Sequence, residues 1–169
     1  LSNVAYHPTI RLGKRLHTIA SLVQGSIVAD VGTDHGLLPI YLARISRLPQ
    51  YGIDKNRKAI EMARQNLYKY GQGLPVHFFV GDGLSPIQHE HIDACVMAGM
   101  GARNIVRIFE KDRPILRRLR MIVVQPMQDK EIFENWIKSS EFRLAEFLQV
   151  DELDHLYTVY IVNPKSLQQ

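Results

Sequence analysis

Residues 27 to 39, read as Ile27-Val28-Ala29-Asp30-Val31-Gly32-Thr33-Asp34-His35-Gly36-Leu37-Leu38-Pro39, set a short apolar strand, a glycine-punctuated loop and the start of a helix in direct succession. That order is the architecture of a nucleotide-cofactor cradle. Gly32 and Gly36 let the backbone turn tightly and approach a ligand, and the first N–H groups of the next helix can meet its polar atoms. The spacing is Asp-x-Gly-x-x-x-Gly, which differs from the Gly-x-Gly-x-x-Gly of dinucleotide binders. A nicotinamide dehydrogenase is therefore disfavoured. Asp34 stands where a second glycine would be expected and puts a carboxylate into the mouth of the cradle.

The rest of the chain repeats the strand-then-helix order. Leu12, Leu16, Ile19, Ala20 and Val23 recur at helical spacing and predict an amphipathic helix over about 11–24, ended by Gly25. Strand 27–31 leads to a helix through Ile40 and Leu42, and a strand over 51–53 closes on Asp54. A helix from Lys55 or Asn56 follows, with Ile60, Ala63 and Leu67 on one face and Gly71 and Gly73 at its end. Strands over 76–80, 92–97 and 121–124 come next. They are separated by the turn Gly81-Asp82-Gly83, by Gly99-Met100-Gly101, and by a helix carrying Ile105, Ile108 and Phe109. Gln125-Pro126 is expected to break the fifth strand, before a helix carrying Ile132, Phe133 and a core Trp136. Runs 142–150 and 156–162 are expected to pair as an antiparallel hairpin around 151–155. Five strand–helix alternations and a hairpin predict an α/β fold with a mainly parallel sheet and helices on both faces.

Composition narrows the class. A chain of 169 residues, 46% hydrophobic, buries one core and is short for two domains, so a single domain is expected. No apolar run is long enough for a membrane span, and no secretory leader pattern is present, so a soluble cytoplasmic protein is expected. One cysteine, Cys95, lies in an apolar run and reads as buried filler. His89-Glu90-His91 has the residue types of a metal site, yet no third ligand is anchored beside it, and no metal is expected. Net charge is +4 and the pI about 9.3. The basic residues cluster at Arg11, Lys14 and Arg15, and again at Lys111, Arg113, Arg117, Arg118 and Arg120. Such clusters suit a phosphate-bearing partner, although solvated helix faces have the same composition.

The chemistry-bearing residues fall at the carboxyl ends of successive strands, where open α/β sheets bind their ligands. Asp30 to His35 follow strand one and Asp54 ends strand two. Gly81-Asp82-Gly83 follows strand three, and Gly99-Met100-Gly101 follows strand four. Asp54, about 20 residues beyond the glycine loop, suits hydrogen bonds to ribose hydroxyls. Asp82 suits an adenine amino group. Asp30 either holds a cationic ligand terminus or braces the loop, and His35 either stacks on a ligand or caps the helix. Aspartate and glycine are ordinary turn residues singly. Four strand ends so equipped point to a site.

These motifs, with Gly81-Asp82-Gly83-Leu84, Ala98-Gly99-Met100-Gly101, Gln125-Pro126-Met127, Arg15-Leu16 and His155-Leu156-Tyr157, resemble the bacterial tRNA (adenine-22-N1)-methyltransferase family, TrmK. The likeness runs from Arg11 to Val162. It implies a Rossmann-like class I methyltransferase with a seven-stranded sheet, S-adenosyl-L-methionine as cofactor, and methyl transfer to N1 of an adenine at position 22 of tRNA. It implies methionine-end contacts at Asp30, Gly32 and Gly36, ribose contacts at Asp54, and adenine contacts at Asp82 and Gly83. Thr33, Lys55 and Ala98 join the cofactor set. Asp34, His35, Gly99 and Met100 are the expected catalytic residues around the target base, and Arg11, Lys14, Arg15, Arg113, Arg117 and Arg118 the expected tRNA contacts. Members of that family continue into a C-terminal helical domain, which is expected to be absent here. The alternative is a non-catalytic or differently targeted module that binds S-adenosylmethionine or RNA.

Overall fold

The computed structural model describes residues 7–164. Seven strands form one sheet: β1 (Val28–Val31), β2 (Gln50–Asp54), β3 (Val76–Val80), β4 (Ala94–Met100), β5 (Met121–Pro126), β6 (Phe142–Glu152) and β7 (His155–Pro164). Their order across the sheet is β3-β2-β1-β4-β5-β7-β6. The first five are parallel, and β7 runs antiparallel to both β5 and β6. The order reverses between β1 and β4. That switch point opens a crevice at the carboxyl ends of the strands.

The helices are α1 (Lys14–Val23), α2 (Leu37–Ser46), α3 (Arg57–Gly71), α4 (Ala102–Lys111), the short α5 (Arg113–Leu116) and α6 (Lys130–Ser139). Strand residues alternate between two faces, and each face has its own helices. Val28, Val96, Val123 and Val159 pack with Ile19, Ala20 and Val23 of α1 and Leu38 and Leu42 of α2. Ile60 and Ala63 of α3 extend that face with Ile40, Val76 and Phe78. On the other face Ala29, Val31, Cys95, Met97, Ile122 and Val124 meet Ile105, Ile108 and Phe109 of α4 and Phe133 and Ile137 of α6. Parallel strands covered on both sides must be apolar on both sides, and β1 is buried at all four positions. Cys95 is fully buried, as its apolar neighbours require. Trp136 is only half-buried, packed against Phe109 while its indole N–H reaches Glu110.

Three local expectations change. Gln125 and Pro126 belong to β5 rather than ending it, because β4 runs on to Met100 and pairs with Pro126 across a bulge. Gly99, with φ +76°, is the extra residue between the pairs Ala98–Gln125 and Met100–Pro126. The segment expected as a loop after strand four is therefore a bulged strand end, a device that re-aims backbone beside a site. The strand itself begins at Ala94 rather than at Ile92. The turn of the C-terminal hairpin is Leu153-Asp154, both residues at positive φ, the twist-matched geometry of a two-residue connection. Among the described residues no helix is long and apolar enough to cross a membrane.

Candidate functional site

At the switch point lies a cavity of about 420 Å³, within the range of small-molecule sites. Asp30, Gly32, Thr33, Asp34 and His35 line it from the β1 end, and Asp54 and Lys55 from the β2 end. Gly81, Asp82 and Gly83 supply the β3 side, with Ala98, Gly99 and Met100 on the β4 side. One expected contact is displaced. Gly36 does not line the cavity but serves as N-cap of α2 at φ +73°, and a Cβ there would lie 2.5 Å from the Phe78 ring. It is glycine because the turn is pressed onto β3, a packing demand. Gly32, at φ +75°, does face the cavity, and a Cβ on it would meet the Met100 methyl at 2.6 Å.

The loop is fixed by carboxylates. Asp54 accepts the Asp34 backbone N–H at 3.0 Å with one oxygen and the Asn56 N–H at 2.9 Å with the other. Gly32 and Thr33 donate their N–H groups to the Ile53 carbonyl. Asp34 is thereby held at φ +53°, its side chain 74% exposed and 3.5 Å from His35 Nε2. His35 points outward as well, beside Asp34, and is not spent on capping; α2 has no side-chain cap. Asp30 is buried at the floor. Burial pushes its carboxyl up to about 7, and the nearby charges of Asp54 and Asp34 add to that, while Thr33 and the Arg15 charge work the other way.

Sequence reasoning missed the supports of this site. The buried Gln125 side chain accepts from the Gly99 N–H at 3.1 Å and from Arg15 Nη1 at 2.7 Å, and donates to the Pro126 carbonyl at 2.8 Å. One amide thus ties the β4 bulge to α1. Arg15 also lies 5.4 Å from the Tyr157 ring centre and lines the cavity, so it belongs to the site as well as to the N-terminal basic cluster. Arg107 grips Asp82 with two hydrogen bonds, of 2.8 and 2.7 Å, and holds its carboxyl below the usual range. The signal for Arg107 was its place one turn beyond Arg103, on the exposed side of a helix whose other side reads as core. Nothing in the sequence marked its partner.

The two basic clusters part company. Arg11 and Lys14 are exposed where the chain enters α1, beside the cavity lined by Arg15 and Leu16. Arg113 and Arg117 pair with Glu141, and Arg118 lies in the segment that feeds the start of β5, where the Arg120 N–H meets the Asp93 carbonyl. That is the amino end of the parallel strands, opposite the cavity. His89-Glu90-His91 disperses too: Glu90 accepts from the Tyr51 hydroxyl and His91 meets Asp93. Among the described residues no three metal-ligating side chains gather.

The donor set suits one kind of ligand. Four carboxylates, Asp30, Asp34, Asp54 and Asp82, surround the cavity against Arg15 and Lys55. Such a wall favours a molecule with positive charge, hydroxyls and an amino group, the features of S-adenosylmethionine.

Comparison with known proteins agrees. Residues 12–160 match the family model described as a methyltransferase domain. The chain is 27% identical over 155 residues to the tRNA (adenine(22)-N(1))-methyltransferase of Bacillus subtilis, covering 90% of this chain and 65% of that protein. It spans a little under two thirds of that relative. The crystal structure of the B. subtilis M1A22 tRNA methyltransferase TrmK superposes with a TM-score of 0.84 at 25% identity, covering 92% of this chain and 68% of that one. A Streptococcus pneumoniae candidate tRNA (m1A22) methyltransferase, crystallised with S-adenosyl-L-methionine, gives 0.85 at 25% identity over 94% and 76%. The likeness to TrmK read from the sequence motifs is borne out. With a match from residue 12 to residue 160, a sheet of this order and a cavity at its switch point, the chain belongs to the methyltransferase domain family.

Proposed function

We propose that this protein is an S-adenosylmethionine-dependent methyltransferase acting on N1 of an adenine at position 22 of tRNA, in the cytoplasm where tRNA is the substrate at hand. The observation that carries the reading is the ring of four strand-end carboxylates around one cavity, in a chain similar throughout to a tRNA (adenine(22)-N(1))-methyltransferase. A dehydrogenase would need a different glycine spacing.

S-adenosylmethionine, when bound, supplies a methyl group made electrophilic by a positively charged sulfur. In this reading Asp30 and the Gly32 turn receive the methionine end, Asp54 the ribose hydroxyls, and Asp82 and Gly83 the adenine. Thr33, Lys55 and Ala98 complete the walls. Asp34, His35, Gly99 and Met100 form the rim at which the target base arrives. Adenine N1 carries its lone pair in the ring plane, on the pairing edge, so the base must be unpaired or flipped to react. As the N1–carbon bond forms, the carbon–sulfur bond breaks and its electron pair stays on sulfur. The ring becomes a cation. In this reading Asp34, its backbone N–H held by Asp54 and its side chain exposed, meets that charge with its carboxylate, and His35 beside it takes up an N6 proton. In this reading, too, Arg11 and Lys14, exposed near the cavity-lining Arg15, meet phosphates of the tRNA.

Mass spectrometry of nucleosides from tRNA incubated with the protein and S-adenosylmethionine tests the activity. The expected product is 1-methyladenosine. Cofactor binding with no methylated nucleoside would instead identify a non-catalytic module.

A further inference from the structure

We infer that Arg107 is a positioning residue that aims Asp82 at the 6-amino group of the cofactor's adenine and so makes the site selective for a 6-aminopurine. The inference rests on the cofactor reading above. Its argument lies in how α4 holds the loop after β3. Arg107 Nη1 and Nη2 donate to the two oxygens of Asp82 at 2.8 and 2.7 Å, a fork that fixes the carboxylate plane. One turn further on, Lys111 Nζ donates to the Asp82 backbone carbonyl at 2.6 Å and to the Ser85 hydroxyl at 3.0 Å. Asp112 accepts the Leu84 N–H at 2.8 Å, and its oxygen would stand 2.1 Å from a Cβ on Gly83. Arg107 and Lys111 therefore hold Asp82 by side chain and backbone, and Asp112 holds the same loop two residues further on.

The guanidinium is itself anchored. Asn104 Oδ1 accepts from Arg107 Nε at 3.1 Å and from Nη2 at 2.7 Å, while Asn104 Nδ2 lies 3.7 Å from the Met100 sulfur. Asp82 and Asn104 both line the cavity. A free aspartate on an exposed turn would rotate and alternate between its protonated and ionised forms as pH fell. Bound on one side by arginine, it stays ionised and acceptor-only. A carboxylate has about four lone-pair sites. Arg107 occupies one on each oxygen, and those that remain are held for a donor inside the cavity. An amino group at purine position 6 supplies that donor. A carbonyl there opposes the carboxylate with a second acceptor, which the fixed geometry cannot rotate away from.

The test is calorimetric titration of the protein with S-adenosylhomocysteine and with its 6-oxo counterpart, S-inosylhomocysteine, for the wild type, Arg107→Ala, Arg107→Lys and Asn104→Ala. Wild type is expected to prefer the 6-amino ligand. In Arg107→Ala its affinity falls about 10- to 100-fold, as for one charge-assisted hydrogen bond, while affinity for the 6-oxo ligand moves less than about 3-fold, so the preference collapses. Arg107→Lys, which keeps the charge and loses the fork, restores only part of it, and Asn104→Ala gives an intermediate loss. Arg107 is half exposed, and its removal leaves the core intact. An unchanged preference in Arg107→Ala, or equal loss for both ligands, overturns the inference and leaves the cofactor reading standing. Failure of the wild type to bind S-adenosylhomocysteine overturns both.

Discussion

The Asp54 carboxylate accepts the backbone N–H of Asp34 at 3.0 Å, so the acid at the end of β2 fixes the acid in the mouth of the cradle. Asp54→Ala releases both that N–H and the one of Asn56. The expected result is faster amide exchange at Asp34 and at least about 10-fold weaker binding of S-adenosylhomocysteine, from the loss of one or two charge-assisted hydrogen bonds. Exchange by NMR and calorimetry read the two effects separately. Retained exchange protection at Asp34 would show that the loop does not depend on Asp54.

Asp34→Asn keeps a residue suited to φ +53° and removes the charge. Stability should stay within about 0.5 kcal/mol of the parent, since the side chain is largely exposed. Methyl transfer to tRNA should fall about 10- to 100-fold in kcat with little change in cofactor affinity. A variant that turns over at the parent rate removes Asp34 from the reaction.

Burial pushes Asp30 up to about 7 from an ordinary value near 4. In the folded protein it holds its proton more tightly than in the unfolded chain. The stability linked to it is thus fully present below pH 4 and is lost as pH rises to 7. Asp30→Asn should therefore gain stability relative to the parent between pH 5 and pH 8, as read by urea denaturation at both values. A cationic ligand favours the ionised carboxyl, so S-adenosylmethionine should bind more tightly at pH 8 than at pH 6. No pH dependence in the parent-minus-variant difference would contradict the placement of Asp30 as a buried carboxyl at the floor of the cavity.

Gln125→Leu leaves the buried Pro126 carbonyl without its donor and the Gly99 N–H without its acceptor, and frees Arg15. A cost of about 1–3 kcal/mol is expected in urea denaturation. The bulge at Gly99 loses its tether, so kcat should fall further than cofactor affinity does. Equal falls in both would argue that Gln125 merely supports the core.

Much of the fold was legible because the parallel strands are short, predominantly apolar runs and each leads into turn residues. The runs at 27–31 and 76–80 are of this kind, and the hairpin over 142–162 was equally plain. The bulge was not legible. Gly99-Met100 and Gln125-Pro126 both read as breakers, and only the pairing of β4 with β5 keeps them in the sheet. In the candidate site, local chemistry marked the aspartates, but the residues that aim them come from 20 or more positions away. Arg107 meets Asp82 across a helix and Gln125 meets Arg15 across the sheet, contacts with no periodic trace in the sequence. Gly36 was read as a ligand contact because a glycine in a cradle serves packing and binding alike until its neighbours are known.

The most direct measurement is primer extension on tRNA transcripts treated with the protein and S-adenosylmethionine, because a methyl on adenine N1 blocks the pairing edge and halts the polymerase. A stop at position 22, absent without cofactor and absent when position 22 is guanine, is the predicted result. Full-length extension from a transcript that the protein has demonstrably bound, or a stop at any other position, would contradict the assignment.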